Sequence, residues 1–248
     1  MCLWRCPAIK CKVRIFNFIF LLVLFFNTAQ AEEWLTPEFK EKNITNVADK
    51  ITDRTSTSLW LAGAASSLYY QNYDTEFRND WKDHQQMSVA VADTGNILGS
   101  GIATVGIIAG QYFWDKQKEN WQSHARALAW ETAVVTVMKY SFGKQRPGDK
   151  NAYVSFPSGH TATAFATATS LTYAYGWKAG LISYPLAVLV GASRMADDMH
   201  WISDVVAGAF VGVIIGRATY EGPFGQNNSV WVPVVGADNV GLTYIFRF

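Results

Sequence analysis

The chain has 248 residues, of which 50% are hydrophobic, 15% aromatic and only 17% charged. Average soluble domains carry about 25% charged residues, so this composition argues against long disordered stretches. Lys and Arg total 21 and Asp and Glu total 20, which excludes a general electrostatic nucleic-acid binder. Collagen-like, coiled-coil and disulfide-scaffold compositions are excluded as well.

Residues 1–31 have the pattern of a secretory signal peptide. A basic start without acids precedes an apolar run at 15–26, and Ala29-Gln30-Ala31 places small residues where a signal peptidase cleaves. The run is shorter than the roughly 20 residues that span a bilayer. We therefore predict cleavage after Ala31 and export to a bacterial periplasm, with an uncleaved N-terminal anchor as the alternative.

The cysteines limit the chemistry of the exported part. All three of them, Cys2, Cys6 and Cys11, lie within the predicted signal peptide. The remainder would contain no thiol, which excludes disulfides, zinc fingers and cysteine nucleophiles there.

The hydropathy pattern after residue 31 predicts an all-α fold, a bundle of about six helices. A polar N-terminal arm at 32–55 is followed by apolar segments of helical length without period-2 alternation. Their many small residues would allow close helix packing. The segments are 56–73, 94–114, 125–142, 158–177, 179–193 and 201–217. We predict a helical domain at 56–221, then a C-terminal loop and a β-hairpin packed on the bundle at 222–248.

Two polar clusters lie at the predicted boundary between the third and fourth helices. Lys139 and Arg146 are seven residues apart, so both cations would face one side if the helix continues for two turns towards Pro147. Pro157-Ser158-Gly159-His160 is a turn that opens directly into a helix, and backbone N–H groups at a helix start bind anions.

A third cluster lies between the fifth and sixth predicted helices. Arg194 follows Ser193, and His200 and Asp204 are four residues apart on a helix. At that spacing the carboxylate can accept the proton of one imidazole nitrogen and orient the ring. Asp197 and Asp198 are interpreted as loop acids, with only weak support for a metal role.

The three clusters together suit a dianionic, tetrahedral phosphate. Arginine binds phosphate oxygens through paired hydrogen bonds, and lysine adds a point charge. One histidine backed by a carboxylate can be a nucleophile, and a second can protonate a leaving group. Taken singly, the clusters are better explained as solvated helix ends, a common turn and a surface histidine, and only their combination favours a phosphate site.

The order and spacing of the clusters resemble the three-part signature of the type 2 phosphatidic acid phosphatase (PAP2) family, which also includes vanadium haloperoxidases. The resemblance extends from Lys139 to Asp204 and implies a PAP2-like fold. It implies that His200 attacks phosphorus, that Asp204 holds its ring, and that His160 protonates the leaving alcohol. The implied phosphate-binding residues are Lys139, Arg146, Ser158, Gly159 and Arg194. The resemblance implies neither a metal nor another cofactor.

The predicted function is therefore a metal-independent phosphatase acting through a phosphohistidine. The substrate would be a phosphate monoester or pyrophosphate, either a phosphorylated envelope lipid (phosphatidate, isoprenyl diphosphate or lipid A phosphate) or a small soluble ester. Hydrolysis and phosphotransfer to an alcohol both remain open. The alternatives are a vanadate-dependent haloperoxidase and a non-catalytic envelope protein.

The number of predicted apolar segments and the mean hydropathy indicate where the protein lies relative to the membrane. If the N-terminus is exported and all six segments span, the three clusters would face the cytoplasm, whereas lipid phosphatases of this family present the site outward. The mean hydropathy of +0.04 is also low for a protein with six spans. We therefore expect a periplasmic enzyme, soluble or peripherally attached to the membrane, with an integral membrane protein as the alternative.

Overall fold

The computed structural model describes residues 36–84, 86–222, 229–235 and 240–246, so the predicted signal peptide lies outside the described residues. The chain divides into two units, Met1–Asn46 and Val47–Phe248. In the first unit, helix α1 (Pro37–Lys40) runs into a π-helical segment, Glu41–Thr45. The Thr36 hydroxyl caps α1 by accepting a hydrogen bond from the Phe39 amide at 3.1 Å.

The second unit is built from helices, which confirms the predicted all-helical fold class. Seven of them correspond to the six predicted apolar segments or to parts of them. The first helix, α2 (Asn46–Thr52), begins at the last residue of the first unit. The others are α3 (Arg54–Gln71), α4 (Asp74–His84), α5 (Val89–Gly99), α6 (Gly101–Trp114), α7 (Lys118–Phe142), α8 (Gly159–Tyr175), α9 (Trp177–Ala196) and α10 (Ile202–Thr219).

Two features of the helical unit differ from the prediction. Helix α4 was not predicted, because its sequence, DTEFRNDWKDH, has too few apolar residues to show a helical stripe. The predicted segment 94–114 consists of two helices, α5 and α6, bent by 55° relative to each other. The break falls at Ser100, whose extended backbone (φ −71°, ψ 144°) cannot continue a helix.

Helices α8 and α10 form the centre of the bundle, with α3, α7 and α9 packed around them. Three glycines at four-residue intervals, Gly208, Gly212 and Gly216, line the face of α10 that meets α8. A Cβ atom at position 212 would lie 2.4 Å from the Ala162 carbonyl oxygen, so no larger residue fits this crossing. The close approach buries Phe165 of α8.

Strands β1 (Ser229–Val235) and β2 (Val240–Phe246) follow the helical region and pair antiparallel. Ser229 lies opposite Phe246, and Val235 lies opposite Val240. The predicted packing of a hairpin on the bundle finds no support among the described contacts, and the helical fold class does not depend on it.

Several helices have the length and composition of membrane spans. Helices α9 and α10 qualify individually, and the bent pair α5–α6 qualifies if it counts as one span. Large apolar side chains also project outward, with Ile102 82% and Val188 60% exposed. Contiguous exposed apolar surface is rare on soluble monomers. These findings favour the integral-membrane alternative over the soluble or peripheral location that we expected.

Candidate active site

The structure brings all three polar clusters together at one end of the bundle, where α7 and α9 end and α8 and α10 begin. The Lys139 ammonium donates to the Pro157 carbonyl at 2.7 Å, which joins the first cluster to the second. The Ser158 amide donates to the Asp204 carbonyl at 3.0 Å, which joins the second to the third. The His200 amide donates to the Arg194 carbonyl at 3.3 Å, which closes the turn between α9 and α10.

His200 and Asp204 lie in contact, but not on one helix as their spacing predicted: Asp204 is in the first turn of α10, and His200 lies two residues before this helix begins. The His200 Nδ1 atom is 3.7 Å from Asp204 Oδ2. The Ser155 hydroxyl lies beside both groups, donating to Asp204 Oδ2 at 2.5 Å and lying 3.5 Å from His200 Nδ1. A carboxylate on the Nδ1 side leaves Nε2 as the nitrogen that can act as a nucleophile.

The Asp204 carboxylate is fully buried and anchored from several sides. Its Oδ2 atom accepts a hydrogen bond from the Trp201 amide at 3.0 Å, so the same side chain caps the start of α10. Its Oδ1 atom lies 2.9 Å from the ammonium of Lys144. A buried carboxylate needs such partners, since an unpaired charge in the interior is costly.

Lys139 holds the loop that precedes α8. Its ammonium donates to the carbonyl oxygens of Val154 and Pro157, both at 2.7 Å. Burial, together with the neighbouring charge of Arg146, lowers the pKa of Lys139 to about 8. The Lys139 ammonium is therefore mostly charged at neutral pH and loses its proton about one pH unit higher.

The two arginines of the site keep donors unpaired. Arg194 donates to Asn96 Oδ1 at 3.1 Å and pairs with Asp197, while Arg146 contacts Met199 Sδ at 3.6 Å. The Nε atoms of both arginines are buried and have no hydrogen-bond partner among the described residues. Because an unsatisfied buried donor is costly, these N–H groups favour an anion as their ligand.

The predicted turn opens α8 as expected. Ser158 is the N-cap residue, and its hydroxyl oxygen accepts a hydrogen bond from the Thr161 hydroxyl at 2.9 Å. A Cβ atom at Gly159 would lie 3.8 Å from Lys139 Cε, so the helix start and the lysine are neighbours. The positive end of the α8 dipole thus adds to the field of the cations.

Both histidines of the site are held neutral. Burial, and next the charge of Arg194, lowers the pKa of His160 to about 4. Burial also lowers the pKa of His200, although the Asp204 carboxylate opposes this effect. A neutral His200 has the free lone pair that nucleophilic attack requires.

Three contributors to the site were missed by sequence reasoning: Asn96, Lys144 and Ser155. Each acts through a contact between elements distant in sequence, so no local spacing marks it. The acids at 197 and 198 do lie in a loop, but each has a cation: Asp197 pairs with Arg194, and Asp198 pairs with Arg78 at 2.6 Å. Within the described ranges, no cluster of His, Cys, Asp and Glu could hold a metal.

A separate cavity of about 510 Å³ lies between the ends of α6, α7 and α8, lined in part by Asp115, Asn120 and Tyr175. It lies near the start of α7, roughly 30 Å from Lys139 at a helical rise of about 1.5 Å per residue. None of the predicted site residues lines it.

Comparison with known proteins identifies similar sequences and structures. Residues 122–227 match the PAP2 superfamily, and this range contains all three clusters. Residues 122–227 are a PAP2 superfamily domain. Over 101 residues it is 44% identical to a lipid A 1-phosphatase of Porphyromonas gingivalis, covering 40% of this chain and 22% of the relative. Over 100 residues it is 32% identical to a probable lipid phosphate phosphatase 4 of Arabidopsis thaliana, covering 34% and 32% of the two chains.

A solved structure is similar to part of this chain as well. Aquifex aeolicus LpxE has 26% identity and a TM-score of 0.49, covering 56% of this chain and 90% of that chain. The chain spans only 22% and 32% of the two curated relatives above. Both of these relatives are named as lipid phosphatases.

Proposed function

We propose that this PAP2 protein is a membrane-embedded phosphatase that hydrolyses lipid phosphate monoesters through a phosphohistidine at His200. One observation carries the proposal: the buried, unpaired Nε donors of Arg146 and Arg194 lie in the same site as a neutral histidine backed by a carboxylate. Unpaired cationic donors next to a nucleophile are an arrangement that phosphoryl transfer can use.

The first step would form the phosphoenzyme. His200 Nε2 attacks phosphorus, the bond from phosphorus to the ester oxygen breaks, and His160 gives its proton to the leaving alcohol. His160 must first gain that proton, and its pKa of about 4 is low because burial and nearby cations disfavour the charged ring. A dianionic substrate offsets those cations, so its binding raises the proton affinity of His160 at the moment the acid is needed.

The second step would hydrolyse the phosphohistidine. Water attacks phosphorus, His160 accepts a proton from that water, and the bond between phosphorus and Nε2 breaks to release inorganic phosphate. In both steps Lys139, Arg146 and Arg194 would hold the non-bridging oxygens, with Ser158 and the Gly159 amide as further donors. No charge has to be created in the protein to stabilise the transition state, since these groups are already in place.

The lipid substrate class is supported by the surface and by the named relatives. The site lies at the end of helices α9 and α10, which are long and apolar enough to span a membrane. A lipid could stay in the bilayer while its headgroup reaches the cations.

Export remains a prediction from residues 1–31. N-terminal sequencing of the membrane-bound protein tests it, because the sequence should begin after Ala31 if the peptide is cleaved.

Phosphate release by the full chain, purified in detergent with EDTA present, tests the proposal. Phosphatidate, a lipid A phosphate, an isoprenyl diphosphate and a chromogenic aryl phosphate would be compared, with His200→Ala as the control. We expect chelator-resistant release from lipid monoesters, loss of release in the variant, and trapping of label on His200 after an acid-free quench. No release from any of the four substrates by folded protein would overturn the proposal, and halide oxidation by peroxide on added vanadate would support a haloperoxidase.

A further inference from the structure

Lys144 lies at the junction of three elements beside the proposed nucleophile. Its ammonium is 2.9 Å from Asp204 Oδ1, 2.8 Å from Asp74 Oδ2 and 2.7 Å from the Ser203 hydroxyl. It also lies 5.9 Å from the centroid of the Trp201 ring. A lysine with two carboxylates within 3 Å is held far more firmly than an exposed lysine, because both acids attract the same charge.

The partner of Lys144 comes from α4, the helix that sequence reasoning missed. Asp74 is the first residue of α4 and is buried. It accepts hydrogen bonds from the Ser203 amide at 3.0 Å and from the Ser203 hydroxyl at 2.8 Å. Asp74 therefore fixes both the lysine and the first turn of α10, which also carries Asp204.

The two oxygens of Asp204 face different partners. Oδ2 faces His200 and accepts from Ser155 and Trp201, whereas Oδ1 faces Lys144. A carboxylate bound at only one oxygen can turn about its Cβ–Cγ bond. With the Lys144 ammonium 2.9 Å from Oδ1, such a turn would break an ion pair at a fully buried carboxylate.

We infer that Lys144, held by Asp74, is a positioning residue that fixes the Asp204 carboxylate so that its other oxygen is aimed at His200. This inference rests on the proposed function for its catalytic consequence. Lys144 does not take part in the transfer of the phosphoryl group. Its role is to keep the His200 ring oriented for attack, and a misplacement of about 1 Å at a reacting group lowers rates by about 100-fold.

The test uses the full chain in detergent and four variants. Lys144→Met removes the charge, Lys144→Arg keeps it, and Asp74→Asn removes the acid that holds it. Lys150→Met is the matched control, because Lys150 is exposed in the same loop between α7 and α8. The kinetic readouts are kcat, KM and the inhibition constant of inorganic phosphate, which reports on the anion-binding cations.

We expect Lys144→Met to lower kcat by about 10- to 100-fold while KM and phosphate inhibition change by less than about threefold. Lys144→Arg should recover most of the loss, and Lys150→Met should behave as wild type. In an Asp204→Asn background, Lys144→Met should lower kcat little further, because a residue that acts through the Asp204 carboxylate has nothing left to position. A Lys144→Met variant with wild-type kcat, or a full additive loss in that background, would overturn the inference.

A second measurement separates this inference from the proposed function. The chain has four histidines, so imidazole nitrogen NMR of histidine-labelled protein gives few signals, and His200→Ala identifies the one from His200. Lys144→Met and Asp74→Asn should shift that signal, and Lys150→Met should not. Shifted signals in a protein that releases no phosphate would uphold the positioning role and reject the phosphatase. An unmoved His200 signal would reject the positioning role whatever the activity.

Discussion

Gly99 of α5 lies directly against His160, the residue proposed to protonate the leaving group. A Cβ atom at position 99 would lie 2.9 Å from His160 Cβ and 3.2 Å from a carbon of its ring. It would also lie 2.4 Å from a methyl group of Val190. The absence of a side chain at position 99 therefore sets where the His160 ring can lie.

Gly99→Ala should move His160 and lower kcat by about 10- to 100-fold, since the proton would start from the wrong place. Gly106→Ala is the matched control, because a Cβ atom there would meet nothing within 4 Å. That variant should keep its activity and gain up to about 1 kcal/mol of stability from the better helix propensity of alanine. Equal kinetics for the two variants would contradict the placement of His160.

The low pKa of Lys139 predicts how anion binding depends on pH. Lys139 is charged below its pKa of about 8 and loses its proton as pH rises through that value. Tungstate does not change its own charge between pH 6 and pH 10, roughly two pH units on either side of that pKa. Its inhibition constant should therefore weaken by about tenfold per pH unit above the pKa of Lys139.

Lys139→Arg is the variant that checks this assignment. A guanidinium stays protonated throughout the range, so the alkaline loss of tungstate binding should disappear even if the affinity itself is lower. An alkaline loss that persists unchanged in Lys139→Arg would assign the titration to another group.

Ser155 donates a hydrogen bond to the buried Asp204 carboxylate at 2.5 Å. Ser155→Ala should lower the free energy of unfolding by about 1.5–3 kcal/mol, the range for hydrogen bonds to charged groups. Ser170→Ala provides the matched control, because the Ser170 hydroxyl is buried without a partner in the described part of the chain. Denaturant unfolding in detergent should show a loss for the first variant and none for the second.

The exposed apolar face of α9 predicts a membrane location that can be tested in cells. Val188 lies near the middle of α9 and is 60% exposed. Val188→Asp should reduce membrane insertion by about 3 kcal/mol if α9 spans the bilayer, and Val188→Leu should leave it unchanged. In a water-facing position the aspartate would be harmless, so normal amounts of Val188→Asp in carbonate-washed membranes would place α9 outside the bilayer.

The sequence alone was sufficient to predict the helices that are long and rich in apolar residues. It also predicted that His200 lies beside Asp204, but for the wrong reason, since His200 precedes α10 and is not on the same helix as Asp204. The gathering of the three clusters was anticipated only through their resemblance to a known family. Spacing alone does not bring residues 139, 160 and 200 together.

The sequence was insufficient where a residue acts across the fold. Asn96 supports Arg194 from 98 residues away, and Asp74 holds Lys144 from 70 residues away. Such pairs leave no local periodicity, so they appear only when the helices are packed. The break at Ser100 was missed for a related reason, since an apolar run looks the same whether the helix is straight or bent.

The shared end of α7, α8, α9 and α10 limits which molecules the site can reach. In a bilayer, reactive groups gathered at one end of a bundle serve a single leaflet. A phosphorylated lipid made in the opposite leaflet would have to be flipped across before it met His200, and its dephosphorylated product would first appear on the side where the site opens. If the helices span a bilayer, the proposed reaction would take place on one side of it, and the supply of substrate would depend on lipid transport as well as on synthesis.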